Sequence, residues 1–118
     1  MDIDLEHKKI IFLLENDEFV RAHDILEELW RKYKDNEQTR LESFILKALL
    51  NASVSIELYK MQRFEHSLNV WNTYKKYEYL IDEINCLNTK SYKRIKDIIY
   101  KKREKYINDN NRFWDKYK

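Results

Sequence analysis

Apolar residues recur along this chain at helical spacing, and no stretch alternates in the manner of a half-buried strand. Ile10, Leu13 and Leu14 give a first helix over about residues 4–15, with Asp2 or Asp4 placed near its start to accept from free backbone N–H groups. Asn16-Asp17 then breaks it, because Asn and Asp are the non-glycine residues that best tolerate a left-handed conformation at a helix end. A second helix runs from Glu18 to about Lys34, and Asp35-Asn36 supplies the next break. The third, about Glu37 to Lys60, carries two apolar ridges. Leu41, Phe44/Ile45, Ala48, Ala52, Ile56 and Tyr59 form one; Leu46, Leu50, Val54 and Leu58 form the other. A helix apolar on two sides belongs at the centre of a bundle. Between its ridges lies a polar strip of Lys47, Asn51 and Ser55. The fourth helix, about Phe64 to Leu87, presents Val70, Tyr74, Tyr77, Ile81 and Ile84, a pattern that suits a core or a partner helix. The fifth, about Ser91 to Asn108, turns Tyr92, Ile95, Ile98/Ile99 and Tyr106 inward and stops at Asn108-Asp109-Asn110-Asn111, ahead of a tail with Phe113 and Trp114.

Composition sharpens this reading. The 118 residues contain no Gly and no Pro, which removes the usual punctuation of hairpins and tight turns, and 43% hydrophobic residues suffice for a core. The expected class is therefore all-α: a compact up-and-down bundle of about five helices with a buried central helix, forming one domain over residues 1–118. Cys86 is the single cysteine, so no intramolecular disulfide forms and a reducing cytoplasm fits. The N-terminus has no basic stretch ahead of an apolar one, and the longest apolar run there is Ile10 to Leu14, so neither a signal peptide nor a membrane span is expected. Charge is unevenly divided: residues 1–87 carry 12 basic and 17 acidic side chains, residues 88–118 carry 11 and 4. A basic last helix packed on an acidic body accounts for that asymmetry.

The chemistry concentrates in Ala22-His23-Asp24-Ile25-Leu26-Glu27-Glu28-Leu29-Trp30. His23, Glu27 and Trp30 stand at i, i+4 and i+7 and share a helix face with Phe19, Leu26 and Tyr33. Polar groups in an apolar stripe are either a hydrogen-bonded structural pair or the floor of a site. In the first case His23 bonds Glu27 while Trp30 packs and finds a partner for its indole N–H. In the second, His23 and Glu27 point at one ion or substrate, as two ligands four residues apart can. Two ligands do not make a site; Glu57, His66 and Asn51 are the candidates to complete one, and Asn51 is expected near His23. The pattern specifies no metal, no cofactor and no catalytic residue. Glu28 is expected to be solvated near Arg31 or Lys32, and His7 exposed on a charged helix. Phosphate-cradling glycine loops are excluded by the absence of Gly.

Leu14 to about Tyr79 resembles a family of small helical prokaryotic proteins, domain of unknown function family 309. The resemblance rests on Phe19-Val20-Arg21-Ala22-His23-Asp24-Ile25-Leu26-Glu27-Glu28-Leu29-Trp30, which looks like that family's AHxxLExxW helix, with His23, Glu27 and Trp30 matching directly. Ala48-Leu49-Leu50-Asn51-Ala52-Ser53 partly matches a second family segment, Asn51 standing where Gln is usual. The turn at Met61-Gln62-Arg63 lacks the family's Gly-Asn, and His66-Ser67 stands where a Gly-Ala pair is expected. The resemblance implies a helical bundle with a core at about residues 14–79. It carries no established activity, and residues 88–118 lie outside it.

The function expected on these grounds is that of a helical interaction or structural module, acting as a homodimer or with another protein partner. The alternative is a small enzyme or ligand-binding protein built on His23 and Glu27, which requires a solvent-reachable cavity beside His23. An exposed stripe of Tyr74, Tyr77 and Ile81 would mark an association face. Lys93, Arg94, Lys96, Lys101, Lys102, Arg103 and Lys105 are interleaved with tyrosines in the manner of a nucleic-acid face. Those tyrosines fall at core spacing, however, so the lysines read as a solvated helix surface rather than a nucleic-acid contact.

Overall fold

Asp17 and Gln62 have positive φ, 61° and 63°, and each ends a helix in the same way. A computed structural model describes residues 3–116, which form α1 (Ile3–Glu15), α2 (Phe19–Lys34), α3 (Arg40–Lys60), α4 (Phe64–Tyr77), the single turn α5 (Leu80–Glu83) and α6 (Thr89–Asp115). After α1, the Asp17 N–H donates to the Leu14 carbonyl at 3.2 Å and the Glu18 N–H to the Leu13 carbonyl at 2.9 Å. After α3, the Gln62 N–H donates to Tyr59 and the Arg63 N–H to Leu58, both at 3.0 Å. This is the Schellman arrangement, in which a left-handed residue turns the chain so that the last carbonyls are satisfied. It folds α1 onto α2 and α3 onto α4.

The central helix is α3, which packs against α2, α4, α5 and α6, while α1 packs against α2 and α6. Its buried residues include Ile45, Leu46, Leu49, Ala52 and Ile56, and they join Ile10, Leu14, Leu26, Tyr74, Ile81 and Ile95 in one continuous core. Close approach of α4 is helped by serines: the Ser67 hydroxyl donates to the Ser55 carbonyl at 2.6 Å, and Ser55 Oγ to the Ala52 carbonyl at 2.6 Å. The polar strip of α3 thus becomes a buried contact at Ser55. Helix α6 is fastened by side chains. Tyr92 Oη and Asn88 Nδ2 both donate to Glu42, and Lys102 reaches the Asp17 carboxylate at 2.7 Å and the Glu15 carbonyl at 3.0 Å. The all-α class and the central helix stand as the sequence predicts. No helix among the described residues is long and apolar enough to cross a membrane.

Several expectations are corrected. Helix α3 begins at Arg40 rather than Glu37, because Asn36 Oδ1 accepts from the Gln38 N–H and Thr39 Oγ1 donates to the Tyr33 carbonyl, holding a turn there. Leu41 and Phe44 are 66% and 53% exposed, so that ridge is buried only from Ile45 onward. The fourth helix ends at Tyr77 instead of reaching Leu87. Glu78 accepts hydrogen bonds from Tyr74 and Tyr100 and from the Lys75 ammonium, which ties the break to α6. Tyr74 and Ile81 are buried but Tyr77 is 48% exposed, so the three form no exposed stripe, and Trp71 takes the inward place. Helix α6 continues through Asn108-Asp109-Asn110-Asn111 to Asp115. These residues are only mildly unfavourable in a helix, by several tenths of a kcal/mol each, and no Gly or Pro stops it. His7 is buried rather than exposed, its ring edge-on to Tyr92 at 5.2 Å. It continues the stripe of Ile10 and Leu14. The roles expected of Asp2 and Asp4 as side chains at the first helix start lie outside the described residues.

Candidate functional site

His23 and Glu27 lie one turn apart on α2, and the helix brings them together as the spacing requires: His23 Nε2 is 3.6 Å from Glu27 Oε2. The opposite ring nitrogen, Nδ1, lies 3.5 Å from Glu57 Oε2 on α3. Imidazole can donate from either nitrogen, and from both when charged, so the ring bridges a carboxylate of its own helix to one across the α2–α3 seam. Glu27 is held in turn by Arg31, whose guanidinium meets Oε1 at 2.6 Å.

The three side chains are unequally enclosed. Glu57 retains 16% of its side-chain surface, against 29% for His23 and 33% for Glu27. Burial pushes the Glu57 carboxyl above its ordinary value of 4.5, opposed by the charge and hydrogen bond of His23, while Asp24 adds to the rise. Glu57 Oε1 is buried with no hydrogen-bond partner among the described residues. Beside it opens a cleft of about 340 Å³ lined by Phe19, Val20, Met61, Lys60 and the turn around Asp17. The cleft reaches Glu57 without including His23. Lys60 stands 5.3 Å from the centres of both the Phe19 and Tyr106 rings.

The remaining predicted site residues sit apart. Trp30 is half-buried against the hydrophobic core, with the Lys34 and Lys47 ammonium groups 4.5 and 4.3 Å from its ring. Asn51 is half-buried on α3, six residues before Glu57, and the partner of His23 on that helix is Glu57. His66 is exposed on α4 and lines a separate depression with Arg63 and Asn69. Glu28 pairs with Lys32 at 3.8 Å.

Both ring nitrogens of His23 face carboxylates. Glu27 and Glu57 approach different nitrogens, so neither nitrogen can face an ion with both carboxylates beside it. Among the described residues no three His, Cys, Asp or Glu side chains gather as metal ligands would. A second polar cluster, Glu78 with Tyr74, Tyr100 and Lys75, was unread in the sequence, although Tyr74 and Glu78 stand at i, i+4. Burial pushes Tyr74 and Tyr100 upward, the Glu78 hydrogen bond adds to both, and Glu78 itself is lowered because these donors outweigh its own burial. The cluster locks α4 to α6.

A family model described as a domain of unknown function (DUF309) matches residues 8–70, just over half the chain, from within α1 through the first half of α4. No curated protein and no solved structure matches.

Proposed function

The chain belongs to the DUF309 family, whose description carries no role, and from that premise we propose a helical interaction module in which His23, Glu27 and Glu57 clasp α2 to α3. The observation that supports this reading is that both ring nitrogens of His23 face carboxylates from two different helices, at 3.6 and 3.5 Å. Such an arrangement ties α2 to α3 and places a carboxylate, rather than open space, before each ring nitrogen. Trp30, beside its two lysines, and Asn51 belong to the same packing. The module works in the cytoplasm, as a homodimer or with another protein. Apolar side chains on its outer faces, including Phe12, Leu41, Phe44 and Leu68, are each more than half exposed and favour such association.

Thermal unfolding of wild type and His23→Ala, each with a chelator and with added zinc or manganese, tests the reading. Loss of about 1–2 kcal/mol in His23→Ala, with both melting temperatures unmoved by metal, is expected for a structural clasp. A variant at least as stable as wild type, together with a metal that raises only the wild-type melting temperature, would overturn it.

One observation favours a second reading, a small-molecule site beside Glu57: this residue lines the cleft walled by Phe19, Val20 and Met61, and its buried Oε1 has no hydrogen-bond partner among the described residues. A ligand there would combine a hydrogen-bond donor with an apolar body. A fragment screen by protein NMR separates the two, since this reading requires shifts confined to that cleft and abolished by Glu57→Gln.

A further inference from the structure

A broad concavity lies away from His23, between α1 and α6. Two depressions, of about 700 and 390 Å³, share Ile11, Glu15, Ser91 and Arg94 and so form one continuous trough. The helices beside it run in the same direction, since His7 meets Tyr92 near one end and the Glu15 carbonyl accepts from Lys102 near the other. Its apolar lining is Ile11 and Ile98, with Phe12 at the side, 61% exposed.

The rim is basic. Lys90, Lys93, Arg94, Lys101 and Lys102 line it from α6 and Lys8 from α1, against the carboxylates of Glu15 and Asp97. Some of these cations are already engaged: Arg94 with Glu15 at 3.0 Å, Lys93 with Asp82 at 3.4 Å and Lys102 with Asp17 at 2.7 Å. Lys90 and Lys101 are exposed and enter no ion pair among the described residues. They stand eleven residues apart, about 16 Å along the helix, which is three turns.

A basic-rimmed trough between two helices, floored by Ile11 and Ile98 and with two lysines three turns apart on one wall that enter no ion pair among the described residues, matches an amphipathic helix whose apolar face carries flanking carboxylates. We propose that the α1–α6 trough docks an acidic amphipathic helix of a partner protein. This rests on the interaction-module reading and supplies its partner class. Nucleic acid fits the same surface less well. Glu15 and Asp97 interrupt the positive field, and the tyrosines of α6 are occupied. Tyr92 is buried, Tyr100 packs on Trp71 at 5.2 Å, and Tyr106 packs on Phe19 at 5.9 Å, so none is available for base stacking.

The test is fluorescence anisotropy with a labelled helix-forming peptide of about 18 residues, bearing Leu at i, i+3/i+4 and i+7 flanked by Glu. It is compared with a scrambled peptide of the same composition and with mixed-sequence duplex DNA. Saturable binding of the patterned peptide is expected, weakened at least about tenfold by Lys90→Glu/Lys101→Glu and reduced also by Phe12→Ser. All three positions are exposed, and matching circular-dichroism melts verify that the variants fold. No binding by wild type, equal binding of the scrambled peptide, indifference to either variant, or tighter binding of the DNA would each overturn the proposal. Metal-dependent melting would contradict the module reading whatever the peptide does, whereas a metal-independent protein that ignores the peptide contradicts the trough alone.

Discussion

Tyr33 and Tyr92 are both buried phenols, and what separates them is the fate of the hydroxyl. Tyr92 donates to Glu42, while Tyr33 Oη has no hydrogen-bond partner among the described residues. Burial pushes Tyr33 up to about 12, with Glu42 and Cys86 nearby adding to the rise. Removing a satisfied hydroxyl strands its acceptor, whereas removing an unsatisfied one relieves a desolvation cost. Tyr92→Phe should therefore lose about 1–2 kcal/mol in urea unfolding, and Tyr33→Phe should be neutral or slightly stabilising; equal losses would contradict the assignment. Glu57 gives a prediction with a sign in pH. Its folded-state value lies above the ordinary 4.5, so the folded protein holds that proton more tightly than the unfolded chain. The resulting stability is present below about pH 4.5 and is lost as pH rises through the folded value. Glu57→Gln cannot ionise and should gain on wild type over that rise, as read from urea midpoints at a series of pH values; parallel pH curves would count against the shift. At this scale the sequence was legible where partners are local. His23 and Glu27 follow from one helix turn, but the choice of Glu57 over Asn51 depends on the rotation of α3 against α2, which no spacing within either helix encodes.

At the scale of elements, the helix ends were legible when the residue itself prefers the conformation. Asn16-Asp17 was read as a left-handed break and Asp17 adopts φ 61°. Gln62 has nearly the same φ without any such preference, so the turn after α3 holds a side chain in a region that costs roughly 1–2 kcal/mol. Gln62→Gly should relieve this, less the entropy glycine adds to the unfolded chain, and raise stability by about 0.5–1 kcal/mol. A neutral or destabilising result, measured by chemical denaturation, would show that the strain is absent. At Asp17 the same substitution also removes the Lys102 ion pair. Burial pushes that carboxyl up, but Lys102 outweighs it and holds it below its ordinary value, so its contribution is present above about pH 4 and is lost in acid. The ends that escaped reading were decided by contacts. Asn36 and Thr39 hold a turn that delays α3, and Glu78 gathers two tyrosines and a lysine where α4 stops. His7 was misread because its charged neighbours masked a stripe that continues through Ile10 and Leu14.

The whole molecule measures 54 × 26 × 20 Å, elongated by a last helix of 27 residues whose fully buried side chains end at Ile99. The acidic body and basic α6 expected from the charge division meet in Arg94–Glu15, Lys93–Asp82 and Lys102–Asp17. That basic surface is therefore partly used in holding the fold, while Lys90 and Lys101, which enter no ion pair among the described residues, face the α1–α6 trough. Class and central helix were readable because helical periodicity is strong and Gly and Pro are absent. The trough was not, because it arises from which faces of α1 and α6 are turned together. The proposed α2–α3 clasp is measured most directly by a double-mutant cycle of His23→Ala and Glu57→Gln, followed by urea unfolding near neutral pH. A coupling energy of about 0.5–1.5 kcal/mol is predicted for two side chains in direct contact across the seam. Additive losses would contradict the clasp, and with it the assignment of His23 to structure.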